Sequence, residues 1–147
     1  MTKLGMINHD QIPIEFSKFE DLPFMFDKIV STDLKSQILG LRCLRKLISQ
    51  GNSLVVQRVI DSNLISKFID FLKKDDFPLL QMESARVFTS MALQGTKEHV
   101  QTIVDFGAIL HLLKLLNSNN FKVLGAVNFF LTYLYQHCLY ITRLFAL

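Results

Sequence analysis

Tryptophan is absent from the 147 residues, so no site on this chain can lay a cation on an indole face. Cysteine is scarce: Cys43 and Cys138 are the two, both in apolar, helix-like surroundings and neither in a CxxC or Cys/His spacing. That excludes a disulfide framework and a thiol-based metal knuckle, and it fits two buried free thiols in a reducing compartment. Six glycines and three prolines are too few for a turn-rich β fold. The glycines are scattered, and there is no Gly-rich phosphate loop, HExxH, GxSxG or EF-hand pattern. His9, His99, His111 and His137 fall in different segments without ligand spacing, and nothing marks Glu98 and Asp105 as a paired acid and base. Catalytic residues, a cofactor and a metal are therefore all predicted to be lacking, and the chain is read as a non-enzyme.

Charge is equally uninformative about polyanions. The net charge of +3 is too small to argue for nucleic acid, and the cluster Lys35, Arg42, Arg45 and Lys46 reads as the solvated face of a helix. The start, from Met1 to His9, has no apolar core and is not a signal peptide, which implies an intracellular chain. The apolar stretch from Val123 to Leu147 is 25 residues long, enough to cross a bilayer. It carries Asn128, Gln136, His137 and Arg143, however, and the last two are expensive at membrane depth. It is read as a buried helix followed by the start of another, with no membrane partner.

What the sequence does have is repetition. Half of its residues are apolar and a fifth are charged, so a packed structure is expected. The run from Leu64 to Leu72 is echoed from Ala108 to Leu116, 44 positions later, and more weakly by Leu22 to Ile29 before it. Breaks recur with it at Ser31-Thr32-Asp33, Lys74-Asp75-Asp76 and Asn117-Ser118-Asn119-Asn120, each supplying side chains that accept from the free N–H groups opening a helix. Pro78 suits a first helical turn. Asn63 and Gly107 occupy equivalent places and both favour the left-handed conformation that ends a helix.

Three helices per copy follow: Ser53 to Asp61, Leu64 to Lys73 and Leu79 to Ala92, then Lys97 to Phe106, Ala108 to Leu116 and Phe121 to Tyr135. Leu34 to Ser49 is the third helix of the preceding copy. Ile109, Leu112, Leu113 and Leu116 form an apolar stripe that one copy cannot bury alone, so copies must stack. A helical period of this length predicts an α-solenoid, and three helices per unit favour an armadillo over a HEAT architecture. The expected fold is all-α, a right-handed armadillo superhelix of about three repeats. Residues 1–18 are expected to be a flexible lead-in, and residues 19–147 the repeat domain with a truncated last unit.

The motifs also carry a resemblance. Phe71-Leu72-Lys73-Lys74-Asp75-Asp76-Phe77-Pro78-Leu79-Leu80-Gln81-Met82-Glu83-Ser84-Ala85 is similar to the importin-α (karyopherin-α) pattern FLxxxDFPxLQ[FM]E[SA]A. Arg45-Lys46-Leu47-Ile48-Ser49 resembles that family's RKLLS, and Val104-Asp105-Phe106-Gly107-Ala108-Ile109 resembles V[ED]xGA[IV]. The likeness keeps its order from about Asp21 to Tyr135. It implies a protein-binding adaptor of nuclear import, found in cytoplasm and nucleus, with a protein or peptide ligand and the transport machinery as partners.

In that family a Trp and, four residues on, an Asn recur on the third helices and grip a basic nuclear localisation peptide. The resemblance places the Trp column at Arg42, Arg86 and Asn128, and the Asn column at Lys46, Ser90 and Thr132. The closing Asp becomes Gln136, while Gly95 is retained in the loop after the middle helix. The ladder is broken, so the implied peptide groove (Arg42, Lys46, Arg86, Ser90, Gly95, Asn128, Thr132 and Gln136) is degenerate for basic peptides. Met1 to Lys18 has only Lys3 and Lys18, unlike the family's basic N-terminal segment. Alternatives are a scaffold turned to an acidic peptide by Arg42, Lys46 and Arg86, or a truncated fragment without function. Phe129, Phe130, Tyr133, Tyr135, Tyr140 and Phe145 near an uncapped edge suggest self-association or a further protein partner.

Overall fold

The structure is a computed structural model, and it describes residues 18–137. The predicted lead-in, save its last residue, and the stretch holding Cys138, Tyr140, Arg143 and Phe145 lie outside the described residues. A short 3-10 turn at Phe19–Asp21 leads into α1 (Leu22–Val30) and α2 (Leu34–Ser49). Two complete three-helix units follow: α3 (Ser53–Asp61), α4 (Leu64–Leu72) and α5 (Pro78–Gln94), then α6 (Lys97–Asp105), α7 (Ala108–Lys114) and α8 (Phe121–His137). The long helices α2, α5 and α8 pack side by side in chain order, while α3 meets α6 and α4 meets α7. This is an all-α solenoid. Among the described residues no single helix is long and apolar enough to cross a membrane.

Caps set most of the boundaries. Asp33 opens α2, its Oδ2 accepting from the Ser36 N–H at 2.9 Å and the Ser36 hydroxyl at 2.7 Å. The side-chain bond first, then the backbone one, hold its carboxyl below the usual aspartate value. Asn120 Oδ1 accepts from the N–H groups of Lys122 (3.0 Å) and Val123 (3.2 Å) at the start of α8. At α6, Thr96 and His99 form a reciprocal capping box, the Thr96 N–H donating to His99 Nδ1 at 3.0 Å. Because Nδ1 accepts, the ring proton sits on Nε2, which donates to Gln57 Oε1 at 2.8 Å and ties α6 to α3 of the preceding unit. Asn63 (φ 59°) and Gly107 (φ 88°) both adopt the left-handed conformation expected of them.

One break works differently from the expectation. Phe77, not an aspartate, takes the cap position of α5 and supplies no side-chain bond. Pro78 at the first turn removes one free donor. Gln81 then reaches back, its Nε2 donating to the Leu72 carbonyl at 2.9 Å and to Asp75 Oδ1 at 3.0 Å, so the loop is stitched from inside the helix.

The core is one continuous cluster through all the units. Phe88 of α5 meets Phe68 of α4 edge-on at 5.8 Å and Phe130 of α8 at 6.1 Å, linking the two complete units. The predicted stripe on α7 is shifted. Ala108, Leu112 and Leu115 are buried, Ile109 and Leu113 are partly so, and Leu116 is exposed. In α4 both rows are buried, Leu64, Phe68 and Phe71 as well as Ile65, Ile69 and Leu72. The difference is stacking: α3, α5 and α7 all pack on α4, whereas no following unit packs on α7 among the described residues. Helix α7 also ends at Lys114 and tightens into a 3-10 turn, Leu115–Asn117. On α8, Phe130 is buried, Phe129 and Tyr135 are exposed, and Tyr133 donates its hydroxyl to the Ala92 carbonyl at 3.3 Å. Cys43 is buried, and burial pushes its thiol up to about 11.

Gly40 fixes the approach of α1 to α2. A Cβ there would lie 2.8 Å from Ile29 Cγ1 and 2.9 Å from the Met25 carbonyl. Alanine is the better helix former, by about 1 kcal/mol. Overpacking against backbone costs about 1–3 kcal/mol and outweighs it. Gly40→Ala is therefore expected to lower Tm in thermal unfolding followed by circular dichroism; a raised Tm would mean α1 does not dock there.

Candidate peptide-binding groove

The face formed by the long helices holds a cavity of about 760 Å³ between α2, α5 and α8. Its centre is Glu83, whose side chain is 0% exposed. Arg42 Nε donates to Glu83 Oε1 at 3.1 Å, and Arg86 Nη1 donates to the same oxygen at 3.4 Å. Arg45 Nε lies 3.7 Å from Oε2, an ion pair without a hydrogen bond, and neither atom finds a hydrogen-bond partner. Three guanidinium groups thus share one buried carboxylate. Burial lowers the Arg45 pKa and the Glu83 charge opposes that shift.

Spacing explains the convergence. Arg42 and Arg45 lie three residues apart on one face of α2, as do Glu83 and Arg86 on α5, and the two helices pack side by side. The side chains grade outward, with Arg42 11%, Arg45 32% and Arg86 45% exposed. Arg42 is structural floor and Arg86 is mouth. The reading of Arg42 and Arg45 as a solvated face is therefore corrected: a buried carboxylate on the next long helix draws them in.

The structure gathers some of the predicted groove residues and leaves others apart. Arg42, Arg86 and Ser90 line the cavity, and the buried Ser90 Oγ lies 3.3 Å from Ser49 Oγ. Lys46 is half-buried in the last turn of α2, outside the lining. Asn128, Thr132 and Gln136 are exposed along one face of α8, beyond the cavity. Gly95 closes α5, where a Cβ would stand 2.5 Å from the Met91 carbonyl, so its smallness serves packing. The α8 wall is built instead by Phe121, Lys122, Gly125, Ala126 and Phe129, of which the sequence had pointed to Phe129 alone, as part of an exposed edge rather than of this groove. Glu83 was missed too, although its position three before Arg86 was a usable signal. Among the described residues no group of three or more His, Cys, Asp or Glu side chains is placed to hold a metal ion.

Stacked three-helix units with a groove across their third helices define an armadillo-repeat solenoid. No family model matches the chain. It is 37% identical over 103 residues to importin subunit alpha-1a of Oryza sativa subsp. japonica, covering 70% of this chain and 19% of that protein. It is likewise 37% identical over 103 residues to importin subunit alpha-8 of Mus musculus, covering 67% and 20%. The chain belongs to the importin-α family, as a partial and divergent member. It spans about a fifth of the length of the curated relatives it matches. Among solved structures it is similar to an engineered protein from the Northeast Structural Genomics Consortium, with a TM-score of 0.69 and 26% identity over 76% of this chain and 44% of that one.

Proposed function

We propose that the chain is a non-catalytic protein-binding adaptor related to nuclear import, present in cytoplasm and nucleus, whose long-helix face takes an extended peptide but no longer a basic one. The kinship to importin subunits supports the adaptor role and the two compartments. The observation that carries the change of preference is Arg86. It stands exposed at the mouth of the cavity, in the column that the resemblance assigns to an indole. A lysine or arginine side chain docking there meets a guanidinium instead of an aromatic face, and like charges repel.

The size of the loss can be bounded. Two cation–π slots contribute about 0.5–2 kcal/mol each and two amide anchors about 1 kcal/mol each. Together these are worth about 3–6 kcal/mol, or roughly 10²–10⁴ in affinity. The test is a fluorescence anisotropy titration with a labelled Lys/Arg-rich nuclear localisation peptide, run beside an intact importin-α. Binding at least a hundredfold weaker than to that relative is expected. Affinity within tenfold of it would refute the proposal.

A further inference from the structure

We infer that the cavity between α2, α5 and α8 binds an acidic peptide segment bearing an aromatic or aliphatic residue beside its carboxylates. This deepens the adaptor reading above and rests on it. The first support is charge. Arg42, Arg45, Arg86 and Lys122 line the cavity and Glu83 is the only acid among its lining residues. Arg42 is committed to Glu83 through its 3.1 Å bond and is nearly covered. Arg86 is not: it is 45% exposed and holds Glu83 only by Nη1 at 3.4 Å. A guanidinium carries five donors in a planar fork, so most of that fork is left for a ligand carboxylate. Exposed Lys122, on the α8 wall, adds a second cation.

The second support is the surface around those charges. Leu79 and Met82 of α5 and Phe121 and Phe129 of α8 are the large apolar residues of the lining, with Phe121 77% and Phe129 60% exposed. Apolar walls beside an arginine fork suit a side chain such as Phe or Leu next to Asp or Glu. The volume of about 760 Å³ is in the range that holds a few side chains. The third support is polar incompleteness. Arg45 meets Glu83 only through Nε at 3.7 Å, too long for a hydrogen bond, and with 32% of its side chain exposed it keeps outer donors available at the cavity. Peptide is favoured over nucleic acid because the cavity offers four basic groups, one of them committed to Glu83, too few to track a phosphate backbone.

The experiment uses the full chain and labelled ten-residue peptides in anisotropy titrations. One peptide is Asp/Glu-rich with a central Phe, one replaces the acids by Asn/Gln, one replaces Phe by Ser, and one probe is a single-stranded oligouridine of equal charge. The acidic Phe peptide should bind at least tenfold tighter than its amide counterpart and severalfold more weakly at 200 mM than at 50 mM NaCl. Arg86→Glu should weaken it at least tenfold, and Arg86→Gln, the gentler change, severalfold, with helix content unchanged by circular dichroism. Phe129→Ala should weaken the Phe peptide and leave the Ser peptide unaffected. Equal binding of the amide peptide, or indifference to both Arg86 variants, defeats the inference. Tighter binding of oligouridine would reassign the cavity to phosphates and defeat it as well. Failure of acidic and basic peptides alike sinks this inference but not the adaptor reading, whereas tight basic-peptide binding sinks both.

Discussion

Glu83→Gln is expected to be strongly destabilising for so conservative a change, costing about 3–5 kcal/mol. For a domain of this size that corresponds to a fall in Tm of about 10–15 °C. The reason is asymmetry. Glu83 is wholly buried, and Arg42, with 11% of its side chain exposed, depends on it for both charge and a hydrogen bond. An amide of the same shape leaves the guanidinium buried without a counter-charge. Arg45 and Arg86 can turn outward, so they add less. The complementary variant separates this account from simple loss of packing. Arg42→Met together with Glu83→Met removes both charges and fills the space with apolar atoms, and should recover most of the loss. Buried pairs replaced as a unit are often neutral. Thermal and urea unfolding measure both. A loss below about 1 kcal/mol for Glu83→Gln would place the cluster in solvent, where exposed pairs are worth that little.

The sequence made the scaffold legible because burial repeats with a period. Leu64, Phe68 and Phe71 return as Ala108, Leu112 and Leu115, and Asn63 and Gly107 mark the same left-handed corner. Where a residue's role is set by a neighbour along the helix, spacing was enough. The groove was not legible in this way. Arg42 and Glu83 sit in different helices, and only the lateral packing of α2 on α5 turns a basic helix face into the floor of a cavity. The phase error on α7 has a similar source. Periodicity identifies an apolar face, but which of two adjacent rows is covered depends on whether another unit stacks there. Arg86 and Ser90, which the resemblance named, both line the cavity because both lie on α5, flanked by long helices on either side. The resemblance could not foresee that Phe129 and Lys122, rather than Asn128 and Thr132, line the α8 wall of the cavity.

Arg86→Trp with Ser90→Asn should reverse the groove's preference. The pair removes the repelling guanidinium, adds an aromatic face worth about 0.5–2 kcal/mol to a docked cation, and adds an amide anchor worth about 1 kcal/mol. Basic-peptide affinity should rise by about 10–100-fold, and the acidic Phe peptide should fall by at least tenfold in the same protein. The fold should survive, because Arg42 at 3.1 Å and Arg45 at 3.7 Å still neutralise Glu83 after Arg86 is gone. Ser90 lines the cavity, and an Asn there can keep a hydrogen bond to Ser49 Oγ, which now lies 3.3 Å from the serine hydroxyl. Extending the change to Asn128→Trp and Thr132→Asn, both exposed on α8, should add a further gain for longer basic peptides alone. If the Arg86→Trp and Ser90→Asn variant gains nothing for the basic peptide while losing the acidic one, Arg86 is a determinant of acidic binding but its column does not form a basic-peptide slot. If neither affinity moves, the long-helix face is not where peptides bind. Opposite movement of the two affinities in one variant is the result that only a shared slot with a single charge-setting residue produces.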